Sequence, residues 1–158
     1  MNWRCTSSVA IAFLCALTLG SSRAAYAAPE TDPCSLLTQQ QVGAALGTNV
    51  EAAHRVAPRL CEWSAPNQPN SINAKKVAIT ISNERAYGFA KTPVVSDVKA
   101  TPASGICDDA VYSLAAGTAS LYVKKGTSYF VVHVYGFPEQ NKVMAMEKTL
   151  AVQACSKL

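Results

Sequence analysis

The residues with the most capacity for chemistry in this chain are cysteines, and their spacing limits what they can do. Six are present, and four of them, Cys34, Cys61, Cys107 and Cys155, lie beyond residue 27. A redox centre wants a Cys-x-x-Cys pair with an easily ionised thiol, and no such pair occurs. A zinc site wants paired short spacings, which are also absent. An even number of cysteines in an exported domain reads as disulfides instead, here two. Four cysteines allow three pairings, and the spacing does not choose among them.

Beyond residue 27 the histidines are His54 and His133. His133 alternates onto one strand face with Tyr129, Val131 and Tyr135, opposite an apolar face of Phe130, Val132 and Val134. With Tyr122 from the neighbouring strand, Tyr129, His133 and Tyr135 form an aromatic stripe carrying one titratable group. Such a stripe is a candidate binding face for a ligand or partner. The competing expectation is an outer sheet face partly covered by the Pro/Asn/Ser-rich loop from Ser64 to Asn73. Asp108-Asp109 reads as a turn or cap, because calcium needs further oxygen ligands at defined offsets. Glu62-Trp63 reads as an indole packed on a disulfide with its carboxylate neighbour outside. Met144 and Met146 belong to the core stripe or its edge, with no reason to invoke metal binding. Catalysis needs a nucleophile, a base and an orienting group close together. No Gly-x-Ser-x-Gly elbow or His-x-x-x-His pair occurs, and Gly105 and Gly117 make no phosphate loop. The expectation is a non-enzyme with no metal and no cofactor.

The elements that must position these residues follow from periodicity. Thr38 and Gln41 make a capping box for a first helix whose stripe is Val42, Ala45 and Leu46, stopped at Gly47. Strands are expected over Val50 to Val56 and Leu60 to Ser64. Lys76 to Ser82 alternates cleanly as a half-buried strand. Asn83 or Glu84 opens a short helix through Ala86, Phe89 and Ala90, and a Pro/Ser/Gly-rich loop follows it. Ala110 to Leu114, Ala119 to Lys124 and Ser128 to Tyr135 read as three antiparallel strands with turns at Gly117 and Gly126. A two-residue turn at Lys125-Gly126 would set Leu121 opposite Phe130 and Tyr122 opposite Tyr129. A last helix, with Pro138 in its first turn, presents Val143, Met146, Leu150 and Ala154 to the apolar sheet face. The fold class is α+β, an antiparallel sheet with helices packed on one face.

Residues 1–27 have the form of a secretory signal: Arg4, an apolar run from Val9 to Leu19, and the small-x-small site Ala25-Tyr26-Ala27. That run is about eleven residues, short of the ~20 a membrane helix needs. Cys15 follows bulky Leu14, so a lipid anchor is not expected. Loss of Arg4 and Arg23 lowers the formal charge from +4 to +2. So mild a charge, with basic residues scattered, speaks against nucleic-acid binding. Residues 28–158 make a single domain, secreted or periplasmic.

Several motifs carry a resemblance. Asp32-Pro33-Cys34-Ser35-Leu36-Leu37-Thr38, the helix end Ala44-Ala45-Leu46-Gly47, Cys61-Glu62-Trp63, and Gly105-Ile106-Cys107-Asp108-Asp109-Ala110-Val111-Tyr112 resemble a group of bacterial cell-envelope proteins. Its best-known members are actinobacterial lipoproteins of unknown function. The resemblance implies a sandwich related to the PsbP-like fold and carries no established activity. It has two departures: a cysteine stands where the family usually has glycine, and the lipidation box is missing. Together with topology, it favours Cys34 with Cys61. The two cysteines unusual for the family, Cys107 and Cys155, then form the second bridge. The functional expectation is a binding module for an unknown protein or small-molecule ligand, engaged through the stripe face. The alternatives are an inhibitor or immunity-type protein against a secreted hydrolase, and a hydrolase with an unrecognised site.

Overall fold

The computed structural model describes residues 31–67 and 73–158. The expected export signal and the middle of the Ser64 to Asn73 loop lie outside the described residues. The chain starts with a 3-10 turn at Pro33–Ser35, where the Asp32 carboxylate accepts from the Cys34 amide at 2.8 Å. Helix α1, Gln39–Leu46, carries the full Thr38/Gln41 capping box and ends on Gly47 at φ 65°. The strands are β1 His54–Ala57, β2 Leu60–Ser64, β3 Lys76–Ile81, β4 Val98–Pro102, β5 Asp109–Ala115, β6 Thr118–Lys125 and β7 Ser128–Tyr135. Helix α2 is Glu84–Lys91 and helix α3 is Gln140–Cys155. The strands form one antiparallel sheet in the order β1-β2-β3-β7-β6-β5-β4. The fold is α+β, with disulfides Cys34–Cys61 and Cys107–Cys155.

One sheet face is the core. Trp63, Val77, Ile79, Leu121, Val123, Phe130 and Val132 are all buried on it. Strand alternation supplies that set, and α3 covers it with Val143, Met146, Leu150, Ala151 and Ala154. Helix α1 adds Val42 and Leu46 and packs against α3. The short helix α2 differs: it lies on the other face, where Tyr87 and Ala90 pack on Val111 beside Tyr122 and Tyr129. No helix among the described residues is long and apolar enough to cross a membrane.

Several boundaries differ from the sequence expectation. The first strand begins at His54, not Val50; before it, the Gln39 side-chain amide donates to the Val50 carbonyl at 2.6 Å and the Glu51 amide donates to the Ser64 carbonyl at 2.8 Å. The Pro/Ser/Gly-rich loop contains an edge strand, β4, where Pro102 is tolerated because no outer neighbour needs its missing N–H. Phe89 is exposed with Arg85 over its ring, and Tyr87 is the buried aromatic of α2. Pro138 precedes α3, whose N-cap is Glu139; the Glu139 carbonyl takes the first helical bond, from the Val143 amide.

The β6–β7 hairpin also shifts. Lys125 pairs with Ser128, so the turn residues are Gly126 and Thr127. Gly126 sits at φ 56°, the left-handed setting a tight hairpin asks of its first central residue. The Asp108 carboxylate fixes that choice by accepting from the Gly126 amide at 2.6 Å. Leu121 therefore faces Val132, and Tyr122 faces Val131. A slip of two residues keeps every side chain on its face but changes every cross-strand partner.

Candidate functional site

The corrected register brings together polar residues that the expected one kept apart. Along one row of the outer face, His54 pairs with Glu62, Glu62 with Ala78, and Ala78 with His133. Extending the β6–β7 register by one step sets Ser120 across from His133, and Ser120 itself pairs with Ser113. The contact is made: Ser120 Oγ and His133 Nδ1 lie 3.0 Å apart. Burial lowers the His133 pKa, so the imidazole is neutral at pH 7. Its flat neighbour is Tyr135, stacked at 5.8 Å with 15° between the rings.

Next to this pair the sheet opens. Strand β6 stays paired with β5 as far as Thr118, and β7 stays paired with β3 as far as Tyr135, but β6–β7 pairing stops at Leu121 and Val132. The released Val134 amide, which faces the gap, donates to Glu147 Oε1 at 3.2 Å. A side chain from α3 thus replaces a ladder bond. The gap is a cleft of about 670 Å³ lined by Thr118, Ser120, His133, Tyr135, Phe137 and Val143, among others. That size suits a small ligand, for which sites of roughly 300–1,000 Å³ are usual. Gly136 forms part of its wall at φ 84°, and a Cβ there would lie 2.6 Å from the Ala74 carbonyl oxygen. Only glycine fits so close an approach.

The charges around the cleft are uneven. Lys76 lies 3.2 Å from Glu62 and 5.0 Å from the Tyr135 ring centre. Burial raises the Tyr135 phenol, and the nearby Glu62 and Glu147 carboxylates add to that rise. The Lys75 and Lys142 ammonium groups lie 5.3 and 5.0 Å from the centre of the Phe137 ring. Glu147 is fully buried, and burial pushes its carboxyl up to about 8 against the smaller opposing effect of the Val134 amide. It is a neutral acid at pH 7. Its Oε2 has no hydrogen-bond partner among the described residues.

The structure divides the aromatic stripe. His133 and Tyr135 line the cleft, whereas Tyr122 and Tyr129 lie against α2, with Tyr129 5.5 Å from Tyr87. His54 is exposed on edge strand β1. Asp109 pairs with Lys91 at 2.6 Å, a bond that holds its carboxyl below the usual range. Asp108 accepts from the Gly126 amide at the hairpin turn, whereas Asp109 is the first residue of β5 and not part of a turn. Glu62 lies beside Lys76, and Trp63 is wholly buried. A wider depression between α1 and the segment after it is lined by no titratable side chain and offers no chemistry. Sequence reasoning missed Ser120 and Glu147. The chain matches no protein-family model, no curated protein and no solved structure.

Proposed function

We propose that this protein is an exported binding module that takes a small ligand in the cleft where β6 and β7 part. The observation that carries the reading is the interruption of a continuous sheet: an aromatic wall, a neutral histidine and a serine border an opening of ligand size. Two disulfides and the signal-like residues 1–27 support a compartment outside the cytoplasm. The motif resemblance to envelope proteins agrees with that placement. A small ligand is favoured over a protein partner because the α2 end of the face is covered. The test is saturation-transfer NMR of residues 28–158 against a mixed set of small amphiphiles. Wild type is expected to give saturable signals that fall about tenfold in Tyr135→Ala, as loss of one aromatic wall implies. Absence of saturable signals, or equal signals from the variant, would overturn the reading.

One observation favours hydrolysis instead: Ser120 lies within reach of a neutral imidazole. A working base needs a third group to orient it, and among the described residues the His133 ring has only Ser120 and the stacked Tyr135 as neighbours in hydrogen-bond or ring contact. On the binding reading Ser120 resists a fluorophosphonate. Phosphonylation at Ser120 Oγ, with fluoride leaving and the serine proton passing to His133, would make the protein a hydrolase; mass spectrometry of the tryptic peptide decides.

A further inference from the structure

Resting on that cleft reading, the charge pattern goes one step further and specifies the ligand's chemistry. We propose that the occupant is an organic anion, its apolar or aromatic body against Tyr135, Phe137 and Val143 and its acidic head between Lys75 and Lys142.

The two lysines come from different elements, one just before β3 and the other in the first turn of α3, yet both reach the same ring. Their ammonium groups are therefore no more than about 10 Å apart. A cation over an aromatic ring gains about 0.5–1 kcal/mol at an exposed site, which orders the side chain without neutralising it. Lys76 shows the contrast, because Glu62 compensates its charge. Neither Lys75 nor Lys142 has a carboxylate within ion-pair distance among the described residues, and this includes Glu139, the acid nearest to Lys142 in sequence.

The remaining titratable groups do not cancel this charge. Burial keeps His133 uncharged and Glu147 protonated at neutral pH. Two uncompensated positive charges thus lie next to Phe137, an aromatic residue of the cleft lining. A neutral ligand would leave the pair unused, and a cation would be repelled by both. An acid with an apolar body satisfies charge and surface together. Carboxylate, sulfonate and phosphate heads share the required chemistry.

The experiment uses residues 28–158 and two fluorescent probes of similar body, anionic 1-anilinonaphthalene-8-sulfonate and neutral N-phenyl-1-naphthylamine. At low salt the sulfonate is expected to bind about tenfold tighter than the amine, the size expected for two screened ion contacts. Lys75→Gln/Lys142→Gln should erase that advantage and leave the amine unchanged. Lys148→Gln/Lys157→Gln, which removes the same charge elsewhere, should leave both probes unchanged. Equal affinity for the two probes, or equal loss in both lysine pairs, overturns the anion assignment while the cleft itself stands. Binding of neither probe overturns the cleft reading as well.

Discussion

Raising the pH from 5 to 8 is expected to destabilise wild type relative to a Glu147→Gln variant by several kcal/mol. Glu147 is buried against the apolar sheet face, and its carboxyl is pushed up from 4.5 to about 8. The sign follows from proton counting. Between those values the folded chain keeps the proton and the unfolded chain has lost it, so stability falls as pH rises. The contribution is complete below about 4.5, drains through the window, and falls no further above about 8. Each pH unit inside the window costs up to about 1.4 kcal/mol, for a total on the order of 4 kcal/mol. His133 acts in the opposite direction, since its lowered pKa favours the fold as pH rises toward 6.5. Tyr112, raised to about 12 by burial with a smaller push from Glu147, titrates far above the window, as does Tyr135. The difference between wild type and Glu147→Gln removes the His133 contribution and isolates the acid. Urea unfolding of both proteins at pH 5, 6, 7 and 8 measures it, and a pH-independent difference would mean that Glu147 folds already ionised.

Glu147 was legible in the chain, at the price of a less tidy stripe. Val143, Glu147, Leu150 and Ala154 recur at spacings of four, three and four, so position 147 belongs to the buried face of α3. Choosing Met146 for that place gives an all-apolar stripe and leaves the acid outside; the structure buries both. The Ser120–His133 contact was not legible, because it depends on register. A turn at Lys125-Gly126 would set His133 across from Thr118, and moving the turn by one residue brings Ser120 there. What moved it is the Asp108 carboxylate on the Gly126 amide, a contact eighteen residues distant in sequence. Strand β4 was hidden for another reason: edge strands need neither alternation nor every N–H, so Val98–Pro102 lacks the usual signs. Strands β3, β5, β6, β7 and helix α3 were readable because each places one face on the apolar core, which imposes its period. The cleft lies where that period stops deciding the structure, at the ends of two strands that no longer pair.

Removing the Cys107–Cys155 bridge should cost about as much as ionising Glu147, and for a separable reason. The bridge closes a separation of 48 residues, against 27 for Cys34–Cys61. Chain-entropy reasoning gives about 4 kcal/mol for the longer loop and about 3.5 kcal/mol for the shorter. Against a typical stability of about 5–15 kcal/mol, either loss is large. Cys107 also carries a backbone cost, since its φ of 45° is a left-handed conformation in which a β-carbon costs about 1–2 kcal/mol. The two costs separate in a pair of variants. Cys107→Ala/Cys155→Ala should lose about 4 kcal/mol, and Cys107→Gly/Cys155→Ala about 1 kcal/mol less, because glycine relaxes the turn. The effect on the cleft should be small. The bridge holds the C-terminal end of α3 beside the β6–β7 turn, where Lys125 Nζ donates to the Cys155 carbonyl. The cleft lies at the other end of the same helix, near Phe137 and Val143. Urea unfolding at pH 5, where Glu147 is protonated, reads the stability difference, and sulfonate-probe binding on the still-folded variants reads the cleft. A glycine variant no more stable than the alanine one would refute the backbone argument, and probe affinity falling in step with stability would mean that the two ends of α3 are coupled.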